Sequence, residues 1–230
     1  MGKTSCRRWR WHGPVICGWF ISSFTLFLFM PIHPWGGAIN VAIGEIDGLE
    51  ARRFHQIADI YAALKANDVR LKDATVWKLA RSIQEESEKH SLDPILVLAI
   101  IKVESKFDHR AVSPKGARGL MQIRPVAATV VLGQADVRGK AANGIDDPIF
   151  NVKIGTAYLK HLNEMFGDIK LTLTAYNWGP TRLRQKLAAK EAVPLAYAQK
   201  VFSAQRLLEK QWGRGNSFLA SQEAQVFEMS

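Results

Sequence analysis

From Gly44 onward apolar residues recur every three to four positions, and no stretch alternates long enough to require a sheet, so the pattern predicts a mainly α fold. The stretch EIDGLEARRFHQIADIYAALKA places Ile46, Leu49, Phe54, Ile57, Ile60 and Leu64 at the apolar positions of one amphipathic helix. A second helix is expected over 74–90. Ser-Leu-Asp-Pro then supplies Asp93 as an N-cap and Pro94 as a first helical residue, and PILVLAIIKVESK is apolar at nearly every position before Lys102. That is the pattern of a helix buried on most sides.

A glycine-containing loop, SPKGARG, follows, and then a region 124–147 in which a short β-hairpin fits. Helical periodicity returns in DPIFNVKIGTAYLKHLNEMFG, with Asp147 as cap, Pro148 in the first turn and Gly167 as stop. DIKLTLTAYNWGP is a further helix ended by Gly179-Pro180, and two more are expected over 181–190 and 194–212. The stretch 213–230 has no periodicity and is expected to lack structure. The chain shows no internal repeat.

Charge changes this picture at the N-terminus. The net charge of +10 is uneven: residues 1–40 carry Lys3, Arg7, Arg8 and Arg10 and no acid, which leaves 27 basic against 21 acidic residues, or +6, for the rest. The basic opening precedes an uncharged apolar run over 15–32, the arrangement of a secretory leader or a short N-terminal membrane anchor. Export across the cytoplasmic membrane is therefore expected, with cleavage in the small residues that follow or retention as an anchor both open. Both cysteines, Cys6 and Cys17, fall in this leader, so the remainder has no disulfide and no thiolate metal site. His55, His90, His109 and His161 show no metal-ligand spacing. The basic remainder suits a polyanion, but no nucleic-acid-binding signature accompanies it, and no nucleic-acid partner is expected.

Glu104 is the one acid on the buried helix. At 100° per residue it lies over Val97, Ile100 and Ile101, with Lys102 and Lys106 on the opposite side and no cation at three or four residues' distance. Burial, the helix C-terminus and Asp108 would all disfavour its anion, so its pKa should be raised, as a general acid near neutral pH requires. A structural alternative is a pairing with a distant arginine such as Arg110 or Arg118.

Glu104-Ser105 after the apolar helix, Gly119-Leu120-Met121-Gln122, and Ala175-Tyr176-Asn177 followed by Gly179-Pro180 together resemble the soluble lytic transglycosylase domain, a lysozyme-like family that cleaves peptidoglycan. The resemblance covers about 74–206. It implies a lysozyme-like multi-helix domain over 74–212, with the helical extension over 43–73 and the leader over 1–42 lying ahead of it. It also implies Glu104 as the catalytic acid, with Ser105, Met121, Gln122, Tyr176, Asn177 and Tyr197 against the substrate. Each of these has a plainer reading: Ser105 as a helix-end hydroxyl, Met121 as core filler, Gln122 as a surface amide, Tyr176 as core. At Tyr197 the match is looser, because the family often has Glu-Thr three or four residues earlier and this chain has Val193 and Pro194. Trp178 stands where the family usually has a small residue, and Thr181 where it often has glycine.

Most glycosidases use two carboxylates, and a second is hard to assign among Asp108, Asp136, Asp146, Asp147 and Asp168. The resemblance implies that one glutamate serves twice, as acid and then as base, so that N-acetylmuramic acid closes on itself as a 1,6-anhydro end and neither metal nor cofactor is needed. Glycan strands of peptidoglycan are then the partner, in the periplasm or facing it from the inner membrane. The alternatives are a hydrolytic muramidase on the same fold, or a peptidoglycan-binding component of a secretion or conjugation machine docked through the 43–73 extension.

Overall fold

The structure is a computed structural model that describes residues 36–133 and 144–228, with side chains at 48–133 and 144–212. The basic opening, the apolar run 15–32 and both cysteines lie outside the described residues. Among the described residues no helix is long and apolar enough to cross a membrane. The chain divides into two compact units, Met1–Asp47 and Gly48–Ser230. Of the first unit only a helical segment is described; the second holds the core and every residue of the site.

The described residues form eight helices: α1 (Gly36–Ala66), α2 (Asp73–His90), α3 (Pro94–Glu104), α4 (Pro125–Leu132), α5 (Pro148–Phe166), α6 (Ile169–Trp178), α7 (Pro180–Ala188) and α8 (Ala196–Glu228). The mainly α expectation holds. Pairing between strands is limited, among the described residues, to two isolated antiparallel bridges, Val112 with Arg118 and Arg118 with Ile123. These lie before the region 124–147, where a hairpin was expected; there Pro125 instead opens a helix in its first turn, and 134–143 lie outside the described residues. The backbone of α8 continues past Trp212 to Glu228, through residues expected to lack structure.

α3 is the axis of the core. Leu96 to Ile101 are six consecutive buried residues, which a helix permits only when neighbours cover it on several sides. α8 is its main neighbour, and α2 lies against α5. α2 buries Val76, Leu79, Ala80 and Ile83 as a stripe at helical spacing, while α8 contributes Ala198, Val201, Ala204 and Leu208. α1 closes another side with Ile57, Ile60 and Leu64, which belong to the same hydrophobic cluster.

The apolar face assigned to α1 is only partly buried. Phe54 lies roughly 90° round the helix from the Ile57–Ile60–Leu64 stripe, is 57% exposed and meets Trp77 ring to ring at 5.6 Å. Leu49 lies about two turns before Ile57 and is 58% exposed. The side chain of Ile46 lies outside the described residues.

Candidate active site

Three acids begin the helices that frame the site. Asp93 accepts from Ile95 N–H at 2.8 Å, Asp147 from Phe150 N–H at 2.8 Å and Asp168 from Leu171 N–H at 2.9 Å, each satisfying a donor the helix leaves unpaired. Gln205 of α8 donates to the other oxygen of Asp93 at 2.8 Å, pinning the start of α3 to its main neighbour.

α3 stops at Glu104 without glycine or proline. Ser105 follows as C-cap, its N–H and hydroxyl both donating to the Ile101 carbonyl, at 3.0 and 3.1 Å. Lys106 and Phe107 then take left-handed conformations, with φ 52° and 66°. Such a conformation costs a side-chain-bearing residue about 1–2 kcal/mol, and burial of the Phe107 ring helps hold the turn. Lys106 and Asp108 therefore leave the helical path on which their directions were projected; Asp108 is exposed and accepts from Arg110 N–H at 2.9 Å.

The loop after this turn folds back on itself. Arg118 exchanges two backbone bonds with Ile123, at 3.1 and 2.9 Å, and Gly119 N–H reaches the Ala111 carbonyl at 3.0 Å. Gly119 (φ 77°) and Gln122 (φ 49°) are both left-handed within it. Asn151 of α5, fully buried, accepts from Met121 N–H at 2.8 Å and donates to the carbonyls of Arg118 and Ile145, each at 2.9 Å. The Arg118 guanidinium also pairs with both oxygens of Asp146, at 2.7 and 2.5 Å, just before α5.

Two tyrosines meet this frame. Tyr197, in the first turn of α8, donates to Oε1 of Glu104 at 2.5 Å. Tyr176, near the end of α6, donates to the Met121 carbonyl at 2.8 Å, and its ring lies 5.8 Å from that of Tyr158. Burial raises the pKa of Glu104, and the Tyr197 hydroxyl partly offsets the shift. Burial first, and then the Glu104 carboxylate, push both phenols well above their usual range.

The structure thus joins Tyr197 to Glu104, seats Tyr176 on the Met121 carbonyl and gives the other expected contacts different tasks. Ser105 turns its hydroxyl back into its own helix. The Met121 side chain is 0% exposed and packs on Gly155 of α5, so it fills core and does not wall a cleft. Gln122 directs its amide nitrogen to the carbonyls of Ala111 and Gly119, both at 3.0 Å, bracing the loop. Asn177 is exposed at the end of α6. The Trp178 ring lies under the Arg182 guanidinium, 4.5 Å from its centroid. Asn151 and Gly155 escaped the sequence reading. Their signal was present as an amide one turn into the helix and as its single glycine.

A buried helix ends in a solitary acid, one phenol donates to that acid, and a second phenol bonds the glycine loop. The family model described as the transglycosylase SLT domain matches residues 81–196, half of the chain, and the chain belongs to that family. It is 39% identical over 89 residues to the soluble lytic murein transglycosylase of Escherichia coli K12, a stretch covering 38% of this chain and 14% of that protein. An inactive glutamate-to-glutamine mutant of the lytic transglycosylase Slt from Pseudomonas aeruginosa is 26% identical at a TM-score of 0.50, over 57% of this chain and 24% of its own. The 70 kDa soluble lytic transglycosylase of Escherichia coli, 24% identical at a TM-score of 0.52 over 70% of this chain and 30% of its own, shares the fold. The lysozyme-like helical architecture is therefore established, while the chain spans 14% of the length of the curated relative.

Proposed function

We propose that the chain is a peptidoglycan lytic transglycosylase, cleaving the β-1,4 bond between N-acetylmuramic acid and N-acetylglucosamine with Glu104 as acid and then as base. The observation that carries this reading is the Glu104 carboxyl itself: largely buried at the end of a core helix, raised in pKa and bonded by the Tyr197 hydroxyl. A protonated Glu104 gives its proton to the bridging oxygen as the bond from that oxygen to C1 of the muramoyl residue breaks. The substrate's own N-acetyl oxygen supports the positive charge at C1. The Glu104 carboxylate then takes the proton from the C6 hydroxyl, whose oxygen closes on C1. The acid is restored, and the product is a 1,6-anhydro end.

The remaining acids favour one glutamate acting twice over a paired-carboxylate mechanism. Asp108 is exposed in its own turn, Asp146 is paired with Arg118, and Asp147 and Asp168 cap helices; Asp136 lies outside the described residues. Asn177, exposed at the end of α6, and the amide oxygen of Gln122 offer polar groups that would meet acetamido and hydroxyl groups of the glycan. A substrate outside the cytoplasm fits an exporting role for the basic opening and the apolar run that follows it, with action in the periplasm.

Protein without residues 1–42, incubated with cell-wall sacculi, tests the reading by mass spectrometry of the released fragments. Wild type should release anhydro-muropeptides and Glu104→Gln none. A variant as fast as wild type refutes the role of Glu104, and products heavier by one water identify a hydrolase.

A further inference from the structure

We propose that Asn151 is a positioning residue: by clamping the Met121 backbone it fixes the carbonyl on which the Tyr176 hydroxyl of the proposed site rests. The inference rests on the lytic transglycosylase reading of the site.

The two backbone polar groups of Met121 face different partners. Its N–H donates to Asn151 Oδ1, and its carbonyl accepts the Tyr176 hydroxyl, both at 2.8 Å. The Asn151 amide has one further set of donors, and it gives them to Arg118 on the same loop and Ile145 ahead of α5, so the loop is fastened to α5 at both ends of the clamp. With 0% exposure, water cannot replace any of these bonds. The fit leaves no slack, since a Cβ on Gly119 would lie 2.3 Å from Asn151 Nδ2. The left-handed Gln122 next to Met121 is a conformation the loop would leave if released. Tyr176 belongs to the motif that the lytic transglycosylase reading puts against the substrate, and its hydroxyl rests on the Met121 carbonyl, so a displaced carbonyl moves a phenol of the proposed site.

A merely structural asparagine would lower stability and leave turnover per folded molecule intact. As a positioning residue it should instead act on kcat, and only while Tyr176 has a hydroxyl. We expect Asn151→Ala, Gly119→Ala and Tyr176→Phe each to lower kcat roughly 10- to 100-fold, with KM much less affected, after correction for folded fraction by circular dichroism. The double variant Asn151→Ala/Tyr176→Phe should be no slower than the slower single variant. Independent losses that multiply overturn the proposal. So does a Tyr176→Phe variant with wild-type kcat, and that variant removes one oxygen only, so it decides the matter even where Asn151→Ala fails to fold. Tyrosine ionisation followed by ultraviolet absorbance gives a readout without turnover: subtracting the corresponding Tyr176→Phe curve isolates this phenol, which should ionise more readily in Asn151→Ala or Gly119→Ala than in wild type. An unchanged phenol overturns the proposal. A wild type that releases no anhydro product overturns the functional reading instead, and the phenol titration then still decides the role of Asn151.

Discussion

The Tyr197 hydroxyl donates to Oε1 of Glu104 over 2.5 Å, across 93 residues of chain. A donor stabilises the ionised carboxyl, so this bond opposes the burial that raises the pKa of Glu104. Burial is the larger of the two effects, so the net shift is upward.

Tyr197→Phe removes the opposing effect and leaves the burial. The pKa of Glu104 should then rise further, and the alkaline limb of the pH profile of kcat, where the acid becomes ionised, should move to higher pH. A limb that stays in place, or moves down, would show that Tyr197 does not act on this carboxyl.

Glu104 should also reduce stability at neutral pH. Its folded-state pKa lies above the ordinary value of 4.5, so its contribution favours folding below that value and is lost as pH rises through the folded-state pKa. Glu104→Gln keeps the shape and removes the buried charge. It should melt at a higher temperature than wild type near pH 7, with the gain shrinking as pH falls toward the ordinary carboxyl range. A gain independent of pH would assign the effect to something other than the charge.

Gly155 allows α5 to approach the loop. A Cβ there would lie 2.3 Å from the Met121 sulfur, 2.8 Å from its Cε and 3.0 Å from its Cβ. The sulfur and terminal methyl can swing aside, but the Cβ moves only with the backbone. Gly155→Ala should therefore cost about 1–3 kcal/mol as an overpacked core does, read as a lower urea midpoint with an unchanged slope. An unchanged midpoint would mean that the helix and loop separate freely.

The three helix starts capped by aspartate were legible because the chemistry that makes them is local. Asp93, Asp147 and Asp168 lie two or three residues from the amides they cap, and two have proline next to them. The placement of Glu104 on a buried helix followed from periodicity in the same way. The turn after it did not, because Lys106 and Phe107 carry no residue-type signal for a left-handed conformation. Nor could spacing reveal that Met121 would meet Asn151, 30 residues on, whereas the bond of Ser105 to its own helix is the plainer of the two readings its place at a helix end allowed. The Met121 contact depends on how α5 and the loop pack, and a period of 3.6 residues says which face is buried without saying what covers it.

α1 provides the last test, because its apolar residues divide between core and surface. Ile60 is fully buried in the cluster shared with α2, α3 and α8, whereas Leu49 is 58% exposed. If the helix is integral to the catalytic fold, Ile60→Ala should cost about 2–5 kcal/mol, as for other buried aliphatic truncations, and Leu49→Gln should stay within about 0.5 kcal/mol of wild type. Urea unfolding of the two variants measures both. A separable extension would instead leave the main transition of Ile60→Ala where it is in wild type. Removal of residues 1–66 extends the comparison: it uncovers the side of the core closed by Ile57, Ile60 and Leu64, and the truncated chain should lose cooperative unfolding.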